Sequence, residues 1–233
     1  MVIVSATGGS GSSFIVSSFI KGGWNVCVRP DGGHQKIKYT VDVIWKKRVS
    51  PFFITKTNTN TLTQKERFEL TYEKLRHKKN IVLVCMTWGG MGFLKDLDEK
   101  AIYLIRNPVF AFNSYSGGGW RKDGGMRRIK YVGASSPNSK KWIDAFLGDF
   151  SFWVDGAENA LKACKNGNGT IIRYHRLKED WKQLDGFENI CGSFHCKDKE
   201  KKVTKYLTKK TIRYIKNKTK DIWGKILNYE KST

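Results

Sequence analysis

Residues 5–15 read SATGGSGSSFI, and they connect an apolar run at residues 2–4 to a second one at residues 14–19. This order predicts a strand over residues 2–5, a glycine-rich turn, and a helix over residues 12–21. The backbone amides of such a turn and of the first helical turn converge on one point, where they bind an anion, usually a phosphate. The stretch therefore predicts a phosphate-binding loop that follows the first strand of an α/β fold.

The composition of this loop indicates a phosphate-bearing ligand other than a hydrolysed ATP. Glycines allow the tight turn and the close approach of a ligand, and serine hydroxyls add hydrogen-bond donors. The loop of a nucleoside triphosphatase ends in Gly-Lys-Ser/Thr, whereas Gly11 is followed here by Ser12 without a lysine. The residues predicted to bind the ligand are Gly8, Gly9, Ser10, Gly11, Ser12 and Ser13.

The remaining patterns extend the prediction to a parallel sheet that is covered by helices on both faces. Near-continuous apolar runs are typical of strands buried on both sides, and they alternate here with helical patterns. In such a sheet the ligand lies at the carboxyl ends of the strands. Further strands are predicted at residues 24–28, 37–45, 80–86, 101–105 and 170–174. Helices are predicted from a capping box at Thr63 and Glu66 to about residue 79, over about 138–165, and from residue 208 onward.

The size and charge of the chain define a basic, single-domain protein. Its 233 residues suit one α/β domain spanning 1–233. The 43 lysines and arginines against 21 acidic residues give a net charge of +22, which attracts polyanions such as nucleic acid, anionic glycans, acidic lipid surfaces or a multiply phosphorylated cofactor. A solvated lysine-rich face is an equally open interpretation of the C-terminal lysines. No RNA- or DNA-binding signature is visible, so no specific nucleic acid is expected, and the sequence indicates no oligomeric state.

The cysteines and apolar segments bear on location and metal binding. No secretory signal and no run of about 18 apolar residues is seen, so we expect a cytoplasmic protein without a membrane span. Cys27 and Cys85 lie in strand-like runs and are predicted to be buried thiols. Cys191, His195 and Cys196 lack the second ligand pair that a structural zinc site requires, so no metal is predicted.

A second motif follows the predicted strand 101–105. The strand leads directly into Arg106-Asn107-Pro108, and Ser114 lies two helical turns further on. Proline is favoured in a first helical turn, which leaves Arg106 at the carboxyl end of the strand. A planar guanidinium and a serine hydroxyl together suit a phosphate group. These residues are predicted to form a second anion site at the same edge of the sheet.

With these two motifs the chain resembles the sulfotransferases that use 3'-phosphoadenosine-5'-phosphosulfate (PAPS). The first signature of that family, Arg/Lys-Ser-Gly-Thr-Thr, is matched by residues 9–13 except at Gly9, and its second signature, Arg-Asp/Asn-Pro with a serine eight residues after the arginine, is matched in full. Residues 173–180 are similar to the family segment that places a tyrosine, here Tyr174, near the adenine. Residues 222–229 are similar to its C-terminal helix.

The resemblance implies a three-layer fold of the P-loop nucleoside-triphosphate-hydrolase-like, sulfotransferase type, and transfer of a sulfuryl group from PAPS to a hydroxyl or amine. The loop would hold the 5'-phosphosulfate, while Arg106 and Ser114 would hold the 3'-phosphate; the product would be adenosine 3',5'-bisphosphate. No metal is required. A catalytic base must take the acceptor's proton, and Asp31 and His34 remain alternatives for this role.

The chain departs from the family at two places. Gly9 replaces a basic residue that stabilises the moving sulfuryl group, and Met-Thr-Trp at 86–88 replaces a segment that carries a histidine. Lys21, Arg29 and Lys36 are candidates to supply the missing charge; the alternative is a slow or inactive protein. Residues 116–133 are predicted either to face the acceptor, a glycan or another polar or acidic molecule, or to form a disordered surface loop. The alternatives are a kinase-like phosphotransferase with a degenerate loop, and a polyanion- or nucleotide-binding protein without catalysis.

Overall fold

The computed structural model describes the sheet and the helices that pack against it. The described residues are 1–7, 9–28, 63–87, 100–117, 140–184 and 209–229, together with 94, 187, 190 and 207. Gly8, Asp31, His34, the predicted strand 37–45 and residues 118–133 lie outside the described residues. The same holds for Arg29, Lys36, Cys191, His195 and Cys196.

Five parallel strands form one sheet, in the spatial order β2-β3-β1-β4-β5. Their bounds are Val2–Thr7 (β1), Asn25–Val28 (β2), Ile81–Thr87 (β3), Ala101–Ile105 (β4) and Gly169–Arg173 (β5). The central strand β1 pairs with β3 on one side, with Val2 opposite Val82, and with β4 on the other, with Ile3 opposite Ala101. The predicted α/β class and all-parallel sheet are therefore confirmed.

Helices cover both faces of the sheet, as in a three-layer α/β fold. Their bounds are Ser12–Lys21 (α1), Gln64–Leu75 (α2), Pro108–Gly117 (α3), Lys140–Lys165 (α4), Leu177–Trp181 (α5) and Lys209–Leu227 (α6). None of the helices within the described ranges is long and apolar enough to cross a membrane.

Successive residues along each strand are buried in alternation on the two opposite faces of the sheet. Val4 belongs to a core that includes α1 and α5, whereas Ile3 belongs to a core that includes α2, α3, α4 and α6. Helix α1 takes the chain from β1 toward β2, and α4 takes it from β4 to β5 in the opposite direction. Crossover connections are right-handed, so helices that run in opposite directions across a sheet cover opposite faces.

Most predicted elements are present, with shifts at some ends. Helix α1 has the predicted bounds 12–21, β4 has the predicted bounds 101–105, and Pro108 begins α3. The capping box at Thr63 is confirmed, but α2 ends at Leu75 rather than near residue 79. The chain turns there and reaches a left-handed conformation at Asn80, with φ of 53°. Cys27 and Cys85 are buried thiols, as predicted.

Candidate functional site

The candidate site lies at the carboxyl edge of the sheet, between β1 and β4. From β1 the chain continues to β2 on one side of the sheet, and from β4 it continues to β5 on the other. When the connections that follow two neighbouring parallel strands run toward opposite sides of the sheet, they separate and leave a crevice between them. In open α/β sheets this crevice binds ligands. The loop after β1 and Arg106 after β4 meet at this crevice.

The loop after β1 contains two glycines in the left-handed conformation. Gly9 has a φ of 77° and Gly11 a φ of 90°, values that only glycine adopts without strain. The Gly11 carbonyl accepts hydrogen bonds from the amides of Phe14 (3.0 Å) and Ile15 (3.2 Å), so Gly11 begins α1. No acidic residue lies in the first turn of α1. The amides of residues 12 and 13 have no partner within the helix, as at any helix N-terminus, and they favour an anion.

Both glycines are also required by close packing. A Cβ at Gly9 would overlap the Ala111 carbonyl oxygen, and a Cβ at Gly11 would overlap the edge of the Tyr174 ring. Ala111 belongs to α3 and Tyr174 follows β5. The loop is therefore fitted between the connections that follow β4 and β5.

Arg106 joins the three segments. Its Nη1 donates a hydrogen bond of 2.8 Å to the Gly9 carbonyl, and its Cζ lies 4.6 Å from the centroid of the Tyr174 ring. The second contact has the geometry of a cation–π interaction. Loop, cation and aromatic ring thus form one cluster at the edge of the sheet.

The backbone around Arg106 is held by two side chains. The Arg106 carbonyl accepts a hydrogen bond of 3.0 Å from Nε1 of the buried Trp153 in α4. The Asn107 Oδ1 accepts a hydrogen bond of 3.0 Å from the Val109 amide, which satisfies one of the free donors at the start of α3. The strand therefore ends at a fixed position, and Arg106 projects from a rigid base.

A buried ion pair fixes the segment that carries Tyr174. Arg173 Nε and Nη2 donate to Asp180 Oδ2 and Oδ1, each at 2.8 Å, and the Arg173 amide donates to the same Oδ2 at 2.8 Å. Only 1% of the Asp180 side chain and 9% of the Arg173 side chain is exposed. Arg173 Nη1 also donates to the Leu227 carbonyl at 2.9 Å. Strand β5, helix α5 and helix α6 are thus tied together directly beneath Tyr174.

The structure brings together four of the predicted ligand-binding residues, namely Gly9, Gly11, Arg106 and Tyr174. Ser10 is fully buried, whereas Ser12 is half-buried as the first residue of α1. Ser13 lies in α1 and Ser114 in α3, but their side chains fall outside the described part of the structure. The two proposed bases, Asp31 and His34, also fall outside it.

Two supporting residues were not predicted as parts of the site. Neither Trp153 nor Asp180 is among the residues that the sequence predicts to bind the ligand. Arg173, the last residue of β5, is buried, and a buried guanidinium requires a charge partner, which Asp180 supplies. The partner of the Trp153 indole N–H lies 47 residues away, so its identity depends on the tertiary fold.

A separate cavity of about 530 Å³ lies at the opposite, amino edge of the sheet, where Val2, Ala101 and Gly169 begin their strands. Cys164 and Tyr229 are hydrogen-bonded to each other in its wall. Burial raises the pKa of the Cys164 thiol to about 11, and burial also raises the pKa of the Tyr229 hydroxyl. Within the described residues, no group of histidine, cysteine, aspartate and glutamate side chains is placed to hold a metal ion.

The geometry at the carboxyl edge suits a ligand that carries negative charge. A helix N-terminus and an arginine converge there, and both favour anions. No protein-family model, curated protein or solved structure matches the chain.

Proposed function

We propose that the protein is a sulfotransferase that transfers a sulfuryl group from PAPS to a hydroxyl or amine of an acceptor. The observation that carries the proposal is the hydrogen bond from Arg106 to the Gly9 carbonyl at the crevice between β1 and β4. It supports two adjacent anion sites, one on each strand connection. A nucleotide with a phosphate group on both its 5' and 3' positions has charges at two ends and would use both sites.

In this proposal each segment has one role. The loop of residues 9–13 holds the 5'-phosphosulfate through backbone amides, and the guanidinium of Arg106, with Ser114, holds the 3'-phosphate. Tyr174 lies beside the guanidinium, where its ring contributes to the nucleotide site. The left-handed glycines support this arrangement, because they let the loop lie directly against Ala111 and the Tyr174 ring, which a Cβ at Gly9 or Gly11 would overlap.

The reaction is an in-line displacement at sulfur. The bond between sulfur and the bridging oxygen of the phosphosulfate breaks, and a bond forms between sulfur and the acceptor oxygen or nitrogen. The acceptor's proton passes to a base, for which Asp31 and His34 are the candidates, and adenosine 3',5'-bisphosphate leaves with the bridging oxygen. Fixed cations and amides stabilise the negative charge that spreads over the transferred group, by analogy with phosphoryl transfer.

The first test measures nucleotide preference by calorimetric titration. Adenosine 3',5'-bisphosphate is expected to bind more tightly than 5'-AMP or ATP, because only it carries the 3'-phosphate. In Arg106→Ala this preference should fall by about ten-fold to a hundred-fold, the range for the loss of a charge-assisted hydrogen bond. Arg76→Ala is the matched control, because this exposed arginine follows α2 and pairs with Glu73. Melting temperatures of all variants verify that they fold.

A second test detects the reaction itself. Labelled sulfate should move from PAPS to members of a panel of hydroxylated and aminated acceptors, with release of adenosine 3',5'-bisphosphate. Equal affinity of the wild-type protein for adenosine 3',5'-bisphosphate and 5'-AMP would contradict the proposal. Magnesium-dependent turnover of ATP would instead support a kinase-like activity.

A further inference from the structure

The C-terminal helix α6 has one buried side and one strongly basic side. Its buried residues pack against α3 and α4, and they are Thr211, Ile215, Thr219 and Ile226. The exposed side carries six lysines and one arginine but only one acidic residue, Asp221. Helix α6 therefore concentrates positive charge on a face that contacts solvent.

Four of these cations form a continuous row. Lys209, Arg213, Lys216 and Lys220 follow one another at intervals of four, three and four residues, which places them on one side of a helix. At 1.5 Å per residue the row is roughly 16 Å long. All four are exposed. The ion pairs of the described residues lie elsewhere, on α2 and around Asp180. We refer to these four residues as the cationic row.

The cationic row leads to the candidate site. Trp223 follows Lys220 by three residues and so continues the row. Its ring lies 5.6 Å from the ring of His175, which follows Tyr174 in the chain, and 6.3 Å from the ring of Trp153. The Trp153 indole in turn holds the Arg106 carbonyl. The helix face that carries the row therefore leads, through Trp223, to Trp153, which holds the Arg106 carbonyl, and to His175, which follows Tyr174.

We propose that the cationic row docks an extended anionic polysaccharide and directs it toward the candidate site as the acceptor. This inference rests on the proposed function, because sulfuryl transfer requires an acceptor that presents hydroxyl or amino groups. A linear chain with repeated negative charges matches a linear row of cations. The residues of the row are mostly lysines, which act as point charges rather than as forks for two-point recognition of a single phosphate.

A single-stranded nucleic acid fits this face less well than a polysaccharide. Proteins that bind single strands combine cations with exposed aromatic platforms on which bases stack. The exposed aromatic residue of α6 is Tyr214, and it lies on the other flank of the helix, beneath Lys218. The four residues of the row carry no aromatic ring, and Trp223 beyond them is half-buried and packs against the rings of His175 and Trp153.

The test compares two variants that remove the same number of charges from the same helix. The row variant carries Arg213→Gln, Lys216→Gln and Lys220→Gln, and the control variant carries Lys210→Gln, Lys218→Gln and Lys225→Gln. Binding of fluorescently labelled chondroitin sulfate and of an oligothymidylate of equal charge is measured by anisotropy at several salt concentrations. The row variant is expected to bind the polysaccharide at least about ten-fold more weakly, with a slope of log affinity against log salt smaller by roughly two to three. The control variant is expected to stay within about three-fold of the wild type.

Two outcomes would overturn the inference. Equal weakening in both variants would mean that the whole basic surface attracts polyanions without a docking row. A row variant that loses the oligothymidylate but keeps the polysaccharide would identify a nucleic-acid surface. Binding of adenosine 3',5'-bisphosphate is measured in parallel and is expected to be unchanged in both variants. Its absence in the wild-type protein would contradict the proposed function, whereas the polysaccharide result tests the row alone.

Discussion

The ring of Tyr174 packs directly against Gly11, so that a Cβ on Gly11 would overlap Cε2 of the ring and lie 2.8 Å from Cδ2. Gly11 is also the N-cap residue of α1, with a φ of 90°. One residue therefore meets two independent requirements, a left-handed backbone and an empty side-chain position. These two requirements can be separated by substitution. Another glycine, Gly23, has a left-handed backbone but open space where its side chain would lie.

Gly11→Ala is expected to lower the free energy of unfolding by about 3 kcal/mol, since left-handed strain and a displaced aromatic ring both contribute. The control is Gly23→Ala. Gly23 has a φ of 82°, but nothing lies within 4 Å of an added Cβ, so its loss should be about 1 kcal/mol. Urea unfolding measures both values. Equal losses would show that Tyr174 moves away at no cost, and the packing between the loop and the ring would then be unimportant for stability.

Asp180→Asn is expected to lower the free energy of unfolding by about 3 kcal/mol or more, because it leaves the buried guanidinium of Arg173 without its counter-charge. Binding of adenosine 3',5'-bisphosphate should also weaken, since Tyr174 follows Arg173 directly. Asp155→Asn serves as the control: this aspartate is exposed on α4 and its substitution should change stability by less than about 0.5 kcal/mol. A comparably small effect at Asp180 would mean that water or another group compensates Arg173.

Thr63→Ala is expected to destabilise the protein by about 1 kcal/mol at neutral pH through loss of the N-cap of α2. The hydrogen bonds from the Thr63 hydroxyl and amide hold the pKa of Glu66 below its ordinary value of 4.5. A carboxylate with a lowered pKa stabilises the fold above its ordinary pKa, and this contribution is lost as the pH falls through its folded-state pKa. The stability difference between Thr63→Ala and the wild type should therefore narrow as the pH falls below 4.5, the ordinary pKa of Glu66, and through its lowered folded-state pKa.

Thr63→Ser is the control for the capping box, because it keeps the hydroxyl that accepts from the Glu66 amide. Unfolding by urea at neutral and acidic pH gives the comparison. A difference between Thr63→Ala and the wild type that stays constant with pH would show that Glu66 does not take part in the cap.

Cys164 is expected to react with iodoacetamide roughly a hundred-fold more slowly than an ordinary thiol near neutral pH, because burial raises its pKa from 9.0 to about 11. The thiol pKa is lowered in part by its hydrogen bond with Tyr229. Tyr229→Phe removes that hydrogen bond and should raise the thiol pKa further, which slows alkylation at a fixed pH. Peptide mass spectrometry after timed alkylation follows this cysteine separately from the others. Faster alkylation in Tyr229→Phe would mean that the tyrosine mainly shields the thiol from the reagent.

The parts of the fold that were predicted best are those set by local chemistry. Helix α1 begins at the glycine turn, and β4 ends where Arg106-Asn107-Pro108 begins the next helix. These signals are local in the chain, so the boundaries follow from the sequence. Helix α2 ended earlier than predicted: its last apolar residue is Leu75, and residues 76–80 form the turn that leads into β3.

The sequence predicted the edge of the sheet at which the candidate site lies, but not the contacts within the site. Parallel strands place their carboxyl ends together, which was enough to bring the loop after β1 near Arg106. The contacts that fix the site depend on segments that are distant in sequence, such as the bond between Trp153 and Arg106. Periodicity and composition carry no information about which distant pairs meet, so the fit of Gly11 against Tyr174 could not be inferred.

The position of β1 at the centre of the sheet has a consequence for how the protein is made. Both neighbours of β1 come much later in the chain: Val2 lies opposite Val82, and Ile3 opposite Ala101. During translation β1 leaves the ribosome with both of its hydrogen-bonding edges unpaired, and they stay so until β3 and β4 have emerged. Closing such long loops is slow compared with local helix formation. The nascent chain thus carries an aggregation-prone edge until both partner strands have been made, which is the period when a chaperone would protect it.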